Sequence, residues 1–443
     1  MAMLTREQAR TLSEKLLAFS KFPDCTVSIR ESEEAFIRFA NNGVTTSGFT
    51  NKRSVTISST RDQKTGTAQI NDLDDASLKS AVARSEELAA ISPANQEFVE
   101  SIGPQKYAET SNWDEETSRA RSPILVRQVK AIIDASSSKG LVAAGFFNRI
   151  ADISSIANKR GNFGYERSTD AEFSTTVRAA DGSSSGWSSH PAVRISEIKG
   201  TELAERAVEK CLKWKKPVRL EPGKYTVVLE PAAVADLVEL LGFGFSARSA
   251  EEGRSFLSKK GGGTQLGDKM FPEIVTLRSA PDDRHFPTSL WSQGGLAQRS
   301  NTWIQNGVVK SLVYDRYWGM KTGKEPSGGF DHLILDGTQA TLADLIKATD
   351  HGLLVTRFWY IRTVNPQTMQ VTGLTRDGLF LIENGEVTQP VVNFRFNESP
   401  VRLLQNITRL GTAQRAIGSE GNGMIAPSVQ ASNFTFSSVS DAV

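Results

Sequence analysis

Four histidines, His190, His285, His332 and His351, are the side chains best suited to holding a catalytic metal or relaying a proton. None has a second histidine three or four residues away, the spacing by which a helix aims two imidazoles at one zinc ion. Each reads as a loop or surface residue. His285 ends the run Pro281-Asp282-Asp283-Arg284-His285. Two carboxylates beside an imidazole offer a metal-binding alternative there, but an acidic turn is the simpler reading. The adjacent acids Asp282-Asp283 and Glu251-Glu252 are likewise expected in water. Cys25 and Cys211 form no CxxC or Cys/His zinc pattern and cannot build a disulfide framework, which fits a reducing compartment.

Three glycine-rich stretches imitate known chemistry. Gly182-Ser183-Ser184-Ser185-Gly186 spells GxSxG, yet a nucleophile elbow turns from strand into helix, and the following Trp187-Ser188-Ser189 has no helical face. Serine-rich composition accounts for the match. Gly242-Phe243-Gly244-Phe245-Ser246-Ala247 has GxGxxA spacing, but the dinucleotide fingerprint must follow a strand, and Val234, Leu237, Val238 and Leu241 before it have helical spacing. Gly261-Gly262-Gly263, flanked by lysine, lacks the GK[ST] ending of a phosphate loop and reads as a surface loop.

The elements that would position such residues mix helices and strands without βαβ alternation, which defines an α+β fold. Thr5 with Gln8 forms a capping box before a helix whose buried stripe is Ala9, Leu12, Leu16 and Phe19. Strand patterns follow at Thr26–Arg30, Ala35–Ala40, Ser54–Ser58 and Thr67–Ile70, with Asn42-Gly43 as a hairpin signal. Asp74 or Asp75 then opens a helix with Leu78, Val82, Leu88 and Ala89 on one face. The order recurs about a hundred residues later: a helix from Ser122-Pro123, strands in which Ile156–Gly161 echoes Phe39–Gly43, and a helix from Thr201 with Leu203, Val208 and Cys211 inward. This predicts an N-terminal sheet-and-helix domain, residues 1–220, with a possible internal duplication. Glu221-Pro222-Gly223 marks the boundary. Residues 221–443 are expected to form a largely antiparallel sheet or barrel with packed helices, since Asn306-Gly307 and Asn384-Gly385 signal two hairpins. Helices are expected around Val234–Phe243, from Thr341 and from Ser399-Pro400.

Composition narrows the function classes. A chain of 443 residues, 39% hydrophobic and 23% charged, divides naturally into two or three domains. A net charge of +2 and a pI near 8.4 give no electrostatic footprint for nucleic acid, and Lys210–Lys216 reads as the solvated end of a helix. Met1–Ser20 resembles neither a secretory leader nor a transit peptide. No apolar stretch is long enough to span a bilayer, so a cytoplasmic location is expected.

The second half resembles the TldD/TldE family, in which TldE is also called PmbA and which once carried the label modulator of DNA gyrase. The matching pieces are Val227-Val228-Leu229-Glu230-Pro231 leading into a helix, the stretch Gly294–Arg316 with its Gln305–Lys310 hairpin, the late hairpin Gly378–Val387 followed by Pro390-Val391, and the tail Gly423–Val443. In the family, TldD carries HExxxH on the helix after that first strand, with a cysteine near the C-terminus completing a zinc site. Here the corresponding segment, between Pro231 and Arg254, contains no histidine, and no cysteine follows Cys211. Glu239 alone supplies neither the ligand count nor a polarised water. The resemblance therefore implies a TldE-like chain with no catalytic and no metal-ligating residue of its own and no cofactor in this chain.

The same resemblance implies a heterodimer in which a TldD-like partner supplies zinc, a homodimer in its absence, and an unfolded peptide as substrate. No direct nucleic-acid contact and no membrane are expected. Arg357, Phe358, Tyr360 and Arg362 would suit a channel wall for such a peptide, or a core strand with Phe358 and Tyr360 on one face. A self-sufficient hydrolase using His285, and a peptide-binding scaffold without a peptidase partner, are the alternative readings.

Overall fold

Apolar side chains at every second position, Cys25, Val27, Ile29, Ala35, Ile37 and Phe39, point one way from a single long strand and bury completely. That strand is the centre of the first of two sheets in the structure, a computed structural model that describes residues 3–109, 112–286, 289–419 and 423–440. The last three residues of the expected tail, 441–443, lie outside the described residues.

The first body runs α1 (Arg6–Phe19), β1 (Asp24–Ala40), β2 (Gly43–Arg61), β3 (Lys64–Ile70) and α2 (Asp75–Ile91), then α3 (Glu115–Arg119), α4 (Ser122–Ser137), β4 (Leu141–Asn158), β5 (Phe163–Ala179), β6 (Ser185–Ala192) and α5 (Gly200–Lys213). Its six strands pair antiparallel in the order β3-β2-β1-β4-β5-β6. Helix, three strands and helix thus occur twice, and the two copies meet where β1 pairs with β4. The helices pack on one face of the sheet: α1 and α2 over Val27, Ile29, Val55 and Ile57, and α4 and α5 over Ile37, Phe39, Phe147 and Phe173. The opposite face is polar.

The Thr5–Gln8 capping box and the Asp74 cap form as expected. Two local expectations are corrected. Thr26–Arg30 and Ala35–Ala40 are one strand, because Glu31 and Glu33 between them are held on the helix side by Arg53, Arg121 and Arg149 and by the Leu4 amide. The β1–β2 turn uses Asn41-Asn42, at φ 51° and 58°, instead of Asn42-Gly43, since asparagine tolerates the left-handed region.

The second body contains β7 (Gly223–Leu229), α6 (Pro231–Val238), α7 (Ala247–Glu251), β8 (Leu277–Ser279), β9 (Asn301–Gln305), β10 (Val308–Val309), α8 (Arg316–Thr322) and β11 (Leu333–Leu335). It continues with α9 (Leu342–Lys347), β12 (His351–Asn365), β13 (Gln370–Glu383), β14 (Glu386–Pro390), β15 (Phe394–Glu398), α10 (Pro400–Gln405), β16 (Ile407–Ala416) and β17 (Met424–Val439). Its sheet orders β10-β9-β8-β11-β17-β15-β13-β12-β7, and a further pairing of β17 with β7 closes the last five strands into a ring. Closure removes edges that would otherwise need cover. Phe358, Phe394, Phe396, Phe434 and Phe436 bury fully in this body, with Phe358 and Phe434 stacked 5.5 Å apart. Asn306-Gly307 and Asn384-Gly385 form the expected hairpin turns with all four φ angles positive. The whole is an α+β fold, mostly antiparallel, with parallel pairing only at β7–β12 and β11–β17 among the named strand pairs.

The cleft between the two sheets as candidate functional site

Alternation leaves the side chains of Arg30, Asp152, Glu166 and Asp170 on the helix-free face of the first sheet. The second body faces them with Glu239, Phe286, His332 and Arg415 across a cavity of about 610 Å³. The two walls are tied together at several points. Arg415, almost fully buried, donates to both oxygens of Asp170 at 2.7 and 2.9 Å. Glu166 accepts from the Leu290 amide at 2.6 Å and from Ser289 Oγ at 3.2 Å. Nearby, Tyr107 donates its hydroxyl to the Gly295 carbonyl and Asn112 its amide to that of Phe286.

Burial sets the titration of the cleft groups. The Glu166 carboxyl is pushed up to about 7 by burial, against the Leu290 and Ser289 hydrogen bonds and the Arg30 charge, with Asp152 adding a little. Burial also raises Asp170, opposed by Arg415, and lowers the His332 imidazole. Between pH 4.5 and 7 the folded protein keeps the Glu166 proton that the unfolded chain has released, so this group makes stability fall as pH rises across that window. The cost above pH 7 is about 2 kcal/mol after allowance for partial solvent access. Glu166→Gln, which mimics the protonated acid, is expected to stabilise the protein by about that amount at pH 8 and to leave it nearly unchanged at pH 5. Urea denaturation at the two pH values measures the difference.

The segment expected to correspond to a zinc helix forms one wall. All eight residues of α6 are buried, and a 3-10 turn, Glu239–Gly244, brings Glu239 to the cleft. Asp236, on α6, accepts from the Phe358 amide at 2.9 Å and from Ser419 Oγ at 2.9 Å, as well as from the Ser419 amide. Burial pushes its carboxyl up to about 6. Zinc needs three or four His, Cys, Asp or Glu ligands converging at about 2 Å. Among the described residues no three such groups are placed to hold a metal ion, so the residues present do not fit that group.

The other sequence candidates disperse. His190 lies on β6, His351 opens β12 exposed, and His285 sits in an exposed turn with its amide donating to Asp283. His332 alone lines the cleft, edge-on to Phe286 at 5.4 Å. Gly242–Ala247 follows a helix, and Gly261–Gly263 is a loop with three positive φ angles. Cys25 and Cys211 are buried and unpaired as disulfides.

The four residues offered for a channel wall separate by depth. Phe358 is fully buried, and Arg357 is nearly so, bonded to Asp377 and lying between the rings of Trp187 and Trp359 at 4.6 and 5.2 Å. Tyr360 is 55% exposed with Arg362 stacked over it at 4.1 Å. A bulge with Tyr360 at φ 54° breaks the alternation and turns Tyr360 away from the face of Phe358.

Arg30, Asp152, Glu166, Asp170 and Arg415 are the cleft residues that sequence reasoning missed. The available signal was Glu166, Ser168, Asp170 and Glu172 at every second position of one strand, a polar face where a core-forming sheet shows water.

This two-body α+β fold with a closed ring of strands recurs in solved proteins. A modulator of DNA gyrase from Thermotoga maritima matches with a TM-score of 0.85 over 97% of this chain and 100% of that one, at 19% identity. TldE from Thermococcus kodakarensis matches at 0.85 over 97% and 99%, at 20% identity. A modulator of DNA gyrase from Bacteroides thetaiotaomicron matches at 0.83 over 99% and 100%, at 18% identity.

Three sequence profiles cover successive parts of the chain: PmbA/TldA metallopeptidase domain 1 over residues 25–89, the central domain over 71–213 and the C-terminal domain over 222–438. The chain belongs to the PmbA/TldD metallopeptidase family. A metalloprotease of Methanothermobacter thermautotrophicus is 25% identical over 228 residues, 48% of each chain, so the chain spans about half the length of that curated relative. No helix among the described residues is long and apolar enough to cross a membrane.

Proposed function

We propose that this chain is a metal-free, TldE-like subunit of a cytoplasmic metallopeptidase complex that degrades small unfolded proteins and peptides, with zinc supplied by a TldD-like partner. The observation that carries this reading is the wall formed by α6 and the turn after it. It stands at the cleft with no histidine or cysteine from Asp236 to Phe245, only the carboxylates of Asp236 and Glu239; Asp236 accepts from the Phe358 and Ser419 amides, and a single further carboxylate cannot hold and activate a zinc-bound water. The likeness of the fold to TldE supports the same reading. The chain's role is then to shape the cleft and hold an extended peptide.

The test is metal content and casein cleavage of the purified chain, alone and mixed with a zinc-bearing partner of the same family from the same source. Cleavage in the mixture alone, abolished by chelator, is the expected result. Stoichiometric zinc and chelator-sensitive cleavage by the isolated chain would overturn the reading.

A further inference from the structure

The helix-free face of the first sheet changes sign from one side to the other. Strand register aligns Ser54, Arg30, Ser154 and Glu166 in one row across β2, β1, β4 and β5, and Lys52, Ser32, Asp152 and Ser168 in the next. Two cavities adjoin on this face and share Arg30. The cleft already described is lined by five carboxylates against two guanidiniums. Its neighbour, about 850 Å³, is lined by Arg30, Lys52 and Arg53 and by no carboxylate.

Pairing inside the protein cancels much of this charge. Arg30 neutralises Asp152 at 3.0 Å, Arg415 neutralises Asp170, and Arg53 is held by Glu31. The other charges lining the two cavities are Lys52 at one end, in the cavity that Gln69 also lines, and Glu166, Glu239 and Asp331 at the other. From β2 to β5 is three strand spacings, about 14 Å at about 4.8 Å each. An extended peptide of about four or five residues covers that distance, and a peptide with free ends carries an ammonium and a carboxylate at that separation.

We propose that the cleft binds short peptides by their two charged termini, with the amino terminus at Glu166 and Asp331 and the carboxylate at Lys52, the chain running across the strands. This deepens the subunit reading and rests on it. It commits to oligopeptides with free ends as the preferred ligand and to one direction of binding. Long internal segments of an unfolded protein lack both charges and bind more weakly.

Calorimetric titration at pH 8, where Glu166 is ionised, of the full chain, alone and with its zinc-bearing partner, with pentaalanine in four forms tests this: both ends free, N-acetylated, C-amidated, and blocked at both ends. Each block is expected to weaken binding about tenfold, the effect of one charge-assisted contact. Lys52→Glu should erase the effect of amidation and keep that of acetylation, and Glu166→Gln should do the reverse. Equal affinity for the four peptides, or no binding of the free one, overturns the inference. Casein cleavage by the mixed pair is read separately. Cleavage with binding blind to the termini sinks this inference and leaves the subunit reading standing, whereas terminus-dependent binding without cleavage does the opposite.

Discussion

Asp236→Ala is expected to destabilise the second body by about 3–5 kcal/mol. The carboxylate is 7% exposed and satisfies two backbone amides, Phe358 on β12 and Ser419 beyond β16, together with the Ser419 hydroxyl. Alanine leaves both amides buried without acceptors, at about 1–3 kcal/mol each, and opens a small cavity. Asp236→Asn keeps the volume but only one acceptor oxygen, so it should cost about half as much. Urea unfolding with an unchanged slope and a lower midpoint is the expected signature. The loss should grow at low pH, because the folded-state carboxyl titrates near 6 instead of 3.8. The charged form is the one burial penalises, so the contribution of Asp236 is greatest below about pH 4 and declines as pH rises through 6. A midpoint shift below about 1 kcal/mol would mean that Ser419 and Phe358 find other acceptors.

That prediction depends on a residue whose role was invisible in sequence, and the contrast with what was visible is physical. Local chemistry was legible: the capping box at Thr5, the cap at Asp74, and the hairpin turns at Asn306-Gly307 and Asn384-Gly385 each rest on residues within four positions of one another. The repeated helix, three strands and helix was legible from order alone. Contacts distant in sequence were not. Glu31 to Glu34 look like a break in a strand until Arg53, Arg121 and Arg149 are brought beside them. Asp236 is 183 residues from Ser419 and Asp170 is 245 from Arg415. The bulge at Tyr360, which separates it from Phe358, follows no residue preference, since tyrosine at φ 54° is held there by the surrounding strands. The cleft was missed for the same reason: its carboxylates come from the neighbouring strands β4 and β5, from the 3-10 turn after α6 and from the loop before β11, and only tertiary packing gathers them.

Gly186→Ala and Gly66→Ala are expected to be as damaging as each other, which the duplication alone would explain. Gly186 ends the stretch that imitates a serine nucleophile, but a Cβ there would stand 2.3 Å from the Ala207 carbonyl oxygen and 2.5 Å from the Cys211 amide of α5. Gly66, at the equivalent strand of the first copy, would put a Cβ 2.1 Å from the Ser85 oxygen and 2.2 Å from the Ala89 amide of α2. In each half, then, the closing helix lies directly on a glycine of the third strand. Backbone cannot yield as a side-chain tip does, so each substitution must lift a helix from the sheet, at about 3 kcal/mol or more. Gly182→Ala is the control: its φ of 74° adds strain, but nothing lies within 4 Å, and the cost should stay near 1–2 kcal/mol. Ser184→Ala separates packing from catalysis. Ser184 is buried with its hydroxyl 3.3 Å from Cys211 Sγ, so its loss should trim stability by about 1 kcal/mol and leave cleavage by the mixed pair unchanged. Denaturation midpoints of the four variants measure the order. A tolerated Gly186→Ala with abolished cleavage in Ser184→Ala would reverse it and restore the serine as a nucleophile.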